Sequence, residues 1–143
     1  SNIGITRQRT IYSLKTVLPI TIALVIAAGL FLLLEKPRFS PTEGIGFYVC
    51  YILISCPAQE LLFRGILSRM LQELRLHRLL ELGVAAALFG YVHIIYGDML
   101  TVVVMSIVGL FWYRAYQRSS NLIGVMISHV VLGVMTIALG IID

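Results

Sequence analysis

Five side chains carry groups able to do chemistry inside otherwise apolar stretches: Gln59, Glu60 and Arg64 in one, and single histidines, His93 and His129, in two others. Ionisable groups at membrane depth are costly and commonly functional. Glu60 and Arg64 are four residues apart, so one helix face presents both and they can neutralise each other. Unpaired, each would cost about 2.5 to 3.5 kcal/mol at mid-helix on insertion scales, so the pair is expected to form in either a structural or a catalytic role. Gln59 is turned about 100° from Glu60 and faces a different neighbour. Its amide can orient a water or hold a peptide group, but it cannot act as a base. Two histidines and a Gln-Glu pair on three helices point to a converging site. Two histidines and a carboxylate could also hold zinc. Ligands scattered over three helices lack the local spacing of a metal motif, so zinc is the lesser option and no cofactor is assigned.

The elements that must position these groups are long. The chain has 143 residues, 59% hydrophobic and 13% charged, with mean hydropathy +0.94, more apolar surface than one soluble core needs. Apolar runs cover Ile11 to Leu34, Gly44 to about Met70, about Leu79 to Tyr96, Met99 to about Tyr116, and Leu122 to Ile142. Each is near the ~20 residues that cross a bilayer as a helix, and none alternates as a barrel strand would. The fold expected is an all-α polytopic transmembrane bundle of about five spans, in an integral membrane protein. The chain is one membrane domain, 1–143, with a peripheral first helix at 10–35 and a core at 44–142.

Charge placement gives an orientation. Arg7, Arg9, Lys15, Arg69, Arg75, Arg78, Arg114 and Arg118 fall on one side of five alternating spans, against Lys36 and Arg38 on the other. Basic residues gather in cytoplasmic flanks, so the N-terminus is expected to be cytoplasmic. The net charge of +4 follows from this topology and suits anionic lipid; nothing resembles a nucleic-acid surface. The Ser1-Asn2 start without methionine reads as a tag remnant or a trimmed chain, with helices expected upstream.

Local features add further expectations. Pro57 should disturb its helix by freeing the carbonyl of Leu53. Ser68 to Leu80 alternates leucines with charges, which predicts an amphipathic interfacial helix with His77 as a solvated residue. Trp112, Tyr113 and Tyr116 beside Arg114 and Arg118 read as an interfacial belt. Gly83 to Ala87 permits close helix approach, and Cys50 and Cys56, roughly 9 Å apart along a helix, lie beyond disulfide reach. On straight helices His93 falls near the opposite end of its span from Gln59 and His129, so tilt or a break must bring them together.

Three motifs, in order and each on its own helix, carry a resemblance. They are Gln59-Glu60-Leu61-Leu62-Phe63-Arg64, Phe89-Gly90-Tyr91-Val92-His93, and His129-Val130-Val131-Leu132-Gly133. They resemble the Glu-Glu-x-x-x-Arg, Phe-x-x-x-His and His-x-x-x-Asn/Asp motifs of the CAAX protease and bacteriocin-processing (CPBP) family of intramembrane proteases, which includes type II CAAX prenyl endopeptidases. The resemblance runs from roughly Gly44 to Ile142. It implies an endopeptidase in which the first glutamate activates water, the histidines bind or stabilise the oxyanion, and the final asparagine completes that site. Here Gln59 stands in the place of the base and Gly133 in the place of the last polar group.

The resemblance therefore implies an intramembrane endopeptidase-like protein, weak or inactive as written unless position 59 is an engineered change. Gln59 would also fit a natural loss of catalysis, or a site in which Glu60 serves as the base. The partners implied are membrane lipids and a peptide or membrane-protein tail as substrate or client. The competing class is a non-catalytic scaffold whose histidine pocket holds a partner helix, a pigment or a cofactor.

Overall fold

The computed structural model describes residues 9–142; the Ser1-Asn2 start, Arg7 and the Asp143 end lie outside them. The five apolar runs fold as five helices: α1 (Thr10–Leu34), α2 (Ile45–Glu73), α3 (Arg78–Tyr96), α4 (Met99–Ser119) and α5 (Leu122–Ala138). No strand occurs among the described residues. α1 to α4 are long and apolar enough to cross a membrane. α5 is equally apolar but has 17 residues, about 26 Å of rise. The fold is the expected all-α polytopic bundle.

Each connection has a physical device. Gly97 takes a left-handed turn (φ 69°), after which Asp98 caps α4 by accepting from the Leu100 and Thr101 amides at 3.3 and 2.9 Å. Ser120 ends α4 (φ 50°), and Asn121 caps α5 by accepting from the Ile123 amide at 2.9 Å. After α5 the Gly140 carbonyl accepts from the Arg38 and Phe39 amides at 2.8 and 2.9 Å. That clamp fixes the loop between α1 and α2 over the end of α5.

Packing follows small residues. α1 lies against α5 at Gly124, where a Cβ would stand 2.6 Å from the Ser13 carbonyl carbon. Ser13 Oγ donates to the Asn121 carbonyl and accepts from the Gly124 amide. α3 and α4 pack through Ala85 and Ala86, both buried, and through Gly90, whose Cβ would meet Ser106 and the Val102 carbonyl. The core gathers Val17, Phe63, Phe89, Val108, Trp112 and Leu132 between the helices. Leu33, Leu34, Ile45 and Ile95 are more than four-fifths exposed, as suits lipid contact.

α2 is wound unevenly. Its turns at Tyr51–Ser55 and Leu61–Leu67 are wide, and the Cys56 amide reaches back five residues to the Tyr51 carbonyl. Pro57, which cannot donate, sits between them and accounts for the loosened ladder of the first.

Two local expectations are corrected. Ser68 to Leu80 is not one interfacial helix: α2 continues to Glu73, and the chain then turns, with Arg75 left-handed (φ 51°), before α3. Leu71 is buried against Ala85 and Tyr113, and that burial holds the last turn of α2 on the bundle. His77 is exposed, as expected, and it also caps α3 by accepting from the Leu79 amide at 3.4 Å. Trp112 and Tyr113 are not an interfacial belt: they are 2% and 1% exposed. Trp112 shares its helix face with the buried Val108, Ala115 and Ser119, a 3.6-residue periodicity that places it inward despite the neighbouring arginines.

Candidate active site

The five candidate residues converge. Glu60 on α2 is fully buried, and its Oε1 accepts from Arg64 Nη1 at 3.1 Å and from His129 Nδ1 on α5 at 2.7 Å. The other carboxylate oxygen has no hydrogen-bond partner. Arg64, 1% exposed, also donates to the Gly109 carbonyl at 3.4 Å, and its guanidinium stacks on Phe89 and Trp112, 4.2 and 5.5 Å from their centroids. Glu60 and Arg64 thus form the expected pair. The pairing of Glu60 with His129, across 69 positions of sequence, was not expected.

The histidine tautomers follow from their partners. His93 Nδ1 lies 2.7 Å from the Phe89 carbonyl, which only accepts, so Nδ1 carries the proton. His129 Nδ1 likewise donates to the Glu60 oxygen that also accepts from Arg64. In the neutral ring each histidine then has an unprotonated Nε2, an acceptor.

Gln59, His93 and His129 line one cavity of about 230 Å³ together with Tyr51 and Gly133. Leu24 and Phe31 of α1 and Val104 of α4 form an apolar wall, and Arg38, Tyr96 and Thr101 line the end nearest the loops. The separation of His93 from Gln59 along straight helices is bridged by the cavity, which runs from the loop end toward mid-bundle, and by the tilt of a helical side chain back toward its N-terminus. Gln59 Nε2 donates to Ser55 Oγ at 3.0 Å, one turn earlier. No Asp or Glu lines the cavity among the described residues; Glu60 and Arg64 lie behind its wall. Nor does any group of three or more His, Cys, Asp and Glu side chains come together in a metal-holding cluster among those residues.

Three further residues shape the site. Thr21 Oγ1 donates to the Val17 carbonyl, so at 2.7 Å it accepts from Ser128, whose oxygen accepts from Trp112 Nε1 at 2.9 Å. This chain fixes the Trp112 ring, 4.6 Å from the His129 ring and tilted 31° to it. The helical repeat of buried positions around Trp112 was the available signal; Ser128 and Thr21 offer none beyond being hydroxyls in apolar helices.

At the loop end Arg38 binds Asp98 through two bonds, 3.0 and 2.7 Å. That guanidinium, helped by Thr101, holds the Asp98 carboxyl well below the usual carboxylate range, and Asp98 in turn raises Arg38.

Residues 40–135 match the family described as type II CAAX prenyl endopeptidase Rce1-like. The match begins in the loop before α2 and takes in all three motifs down to Gly133. No curated protein and no solved structure matches the chain. With the match covering most of the chain and the motif residues meeting in one buried site, the chain belongs to the Rce1-like family of type II CAAX prenyl endopeptidases.

Proposed function

We propose that this chain binds a peptide or lipidated protein tail in its cavity and hydrolyses it weakly or not at all. The observation that supports this reading is the exchange of roles at positions 59 and 60. The side chain that faces the cavity is the Gln59 amide, which cannot take a proton, while the neighbouring carboxylate is buried behind the wall and engaged by Arg64 and His129. Its unpartnered oxygen is enclosed behind the wall, so Glu60 could serve as base only by turning toward the cavity, which would disturb its pair with a buried guanidinium. What remains to accept a proton in the cavity is the Nε2 of His93 or His129, the source of any residual hydrolysis.

The cavity joins an apolar wall to a polar pole, which suits a prenylated peptide with its chain on α1 and its backbone near the histidines. A bacteriocin-like peptide or the tail of a membrane protein would meet the same chemistry. The orientation proposed is an N-terminus on the cytoplasmic side, as the basic flanks favour.

The test is to titrate the purified chain with a fluorescent farnesylated peptide ending in Cys-aliphatic-aliphatic-Ser. Saturable binding with the peptide recovered intact supports the reading. Rapid turnover by the unaltered chain, or no binding of farnesylated or plain peptides, contradicts it.

A further inference from the structure

Position 133 has no side chain where the family motif expects a polar one, yet the space is filled. A Cβ there would fall on the Tyr51 hydroxyl and stand 2.7 Å from the ring carbon that bears it. Tyr51 and Gly133 both line the cavity, and the Tyr51 ring stands edge-on to His129, centroids 6.2 Å apart with the planes at 78°. Tyr51 comes from the other side of the site: it opens the wide turn of α2 that precedes Pro57. The Cys56 thiol, just after that turn, is among the neighbours of its hydroxyl and is a weak acceptor at most.

Arg38, Tyr96 and Thr101 put their donors at the loop end of the cavity, and around the histidines donors are fewer. The ring N–H of neutral His93 is engaged by the Phe89 carbonyl and that of His129 by Glu60, so each neutral ring has only the acceptor Nε2 left to offer. The Gln59 amide is tethered to Ser55. A peptide carbonyl in the cavity needs a donor, and a hydroxyl beside His129 is the group placed to give it.

We propose that the Tyr51 hydroxyl replaces the polar side chain absent at Gly133 and donates a hydrogen bond to a carbonyl oxygen of the bound peptide. The proposal rests on the peptide-binding reading above, and it names the residue that confers recognition there.

Two measurements test it on the full chain in detergent. One is affinity for the farnesylated peptide in Tyr51→Phe, which keeps the ring and removes only the donor; about a fivefold loss is expected for one neutral hydrogen bond. The other is the melting order of Gly133→Asn, Tyr51→Ala and the double variant. Gly133→Asn should melt lowest, because asparagine meets the tyrosine, and the double variant should recover both stability and the peptide affinity that Tyr51→Ala loses. Wild-type affinity in Tyr51→Phe overturns the donor role, and wild-type melting of Gly133→Asn overturns the steric replacement. Binding by no variant, wild type included, overturns the functional reading and the donor role with it, while the melting order still decides whether Tyr51 fills the place of the side chain.

Discussion

Replacing Glu60 by glutamine keeps the shape of the carboxylate and removes its charge, which isolates the electrostatic part of the Glu60–Arg64–His129 cluster. Arg64 and Glu60 are 1% and 0% exposed at the side chain, with 3.1 Å between the bonded atoms. Unit charges about 4 Å apart at an effective dielectric of about 20 attract by roughly 4 kcal/mol, and removing one partner of a buried pair typically costs about 3 to 5 kcal/mol. A glutamine oxygen still accepts from Arg64 or His129, and the guanidinium keeps its stacking on Phe89, so the expected loss for Glu60→Gln is about 3 kcal/mol. Glu60→Gln combined with Arg64→Met removes both charges and should lose less than half as much. The assay is unfolding in mixed micelles followed by fluorescence of Trp112, the one tryptophan of the chain, whose ring lies against both Arg64 and His129. The reasoning is refuted if Glu60→Gln unfolds like wild type, or if adding Arg64→Met makes matters worse by its own full cost.

Further predictions follow from other contacts. Because Asp98 has a depressed pKa in the folded chain, its pairing stabilises above the ordinary carboxylate pKa of about 4 and is lost as pH falls toward the folded value. Melting temperature should therefore drop on acidification below about pH 4, and Asp98→Asn should flatten that part of the profile. Gly90→Ala places a Cβ 2.7 Å from the Val102 carbonyl and should cost about 1 to 3 kcal/mol, whereas Gly29→Ala meets nothing within 4 Å and should stabilise α1 by about 0.5 to 1 kcal/mol. Thermal melts of the two variants, moving in opposite directions, check that difference. Ser128→Ala orphans the Trp112 N–H; about 1 kcal/mol of stability and a shifted Trp112 emission maximum are expected, and an unchanged spectrum would show the indole to be held by other contacts.

The sequence showed what depends on local spacing. Glu60 and Arg64 declare their pairing by the i,i+4 interval, and continuous apolar runs declare the five helices. Burial inside the bundle is harder to read, because a membrane helix is apolar on all sides and its inward face carries little contrast. Trp112 shows this: beside Arg114 it has the composition of an interfacial residue, and only the repeat of Val108, Ala115 and Ser119 marks its face as internal. The bond from His129 to Glu60 joins α5 to α2 and has no local signature at all. Tyr51 is hidden for the same reason, since its role depends on the absence of a side chain at Gly133. The break between α2 and α3 was misplaced because leucines alternating with charges suit an interfacial helix and the last turn of a packed one equally well. Burial of Leu71 against Tyr113 decided between them.

The central claim is that this member of the family keeps the binding site and lacks the base. Its most direct test is the rate at which Gln59→Glu cleaves a farnesylated peptide, compared with wild type by mass spectrometry of the products. A positioned general base contributes about 10²- to 10⁴-fold, so the account predicts a gain of at least about a hundredfold, with the new carboxylate facing the cavity beside His93 and His129. No gain in a variant that still binds the peptide would contradict it, and would place the chain among binding proteins that no single residue returns to hydrolysis.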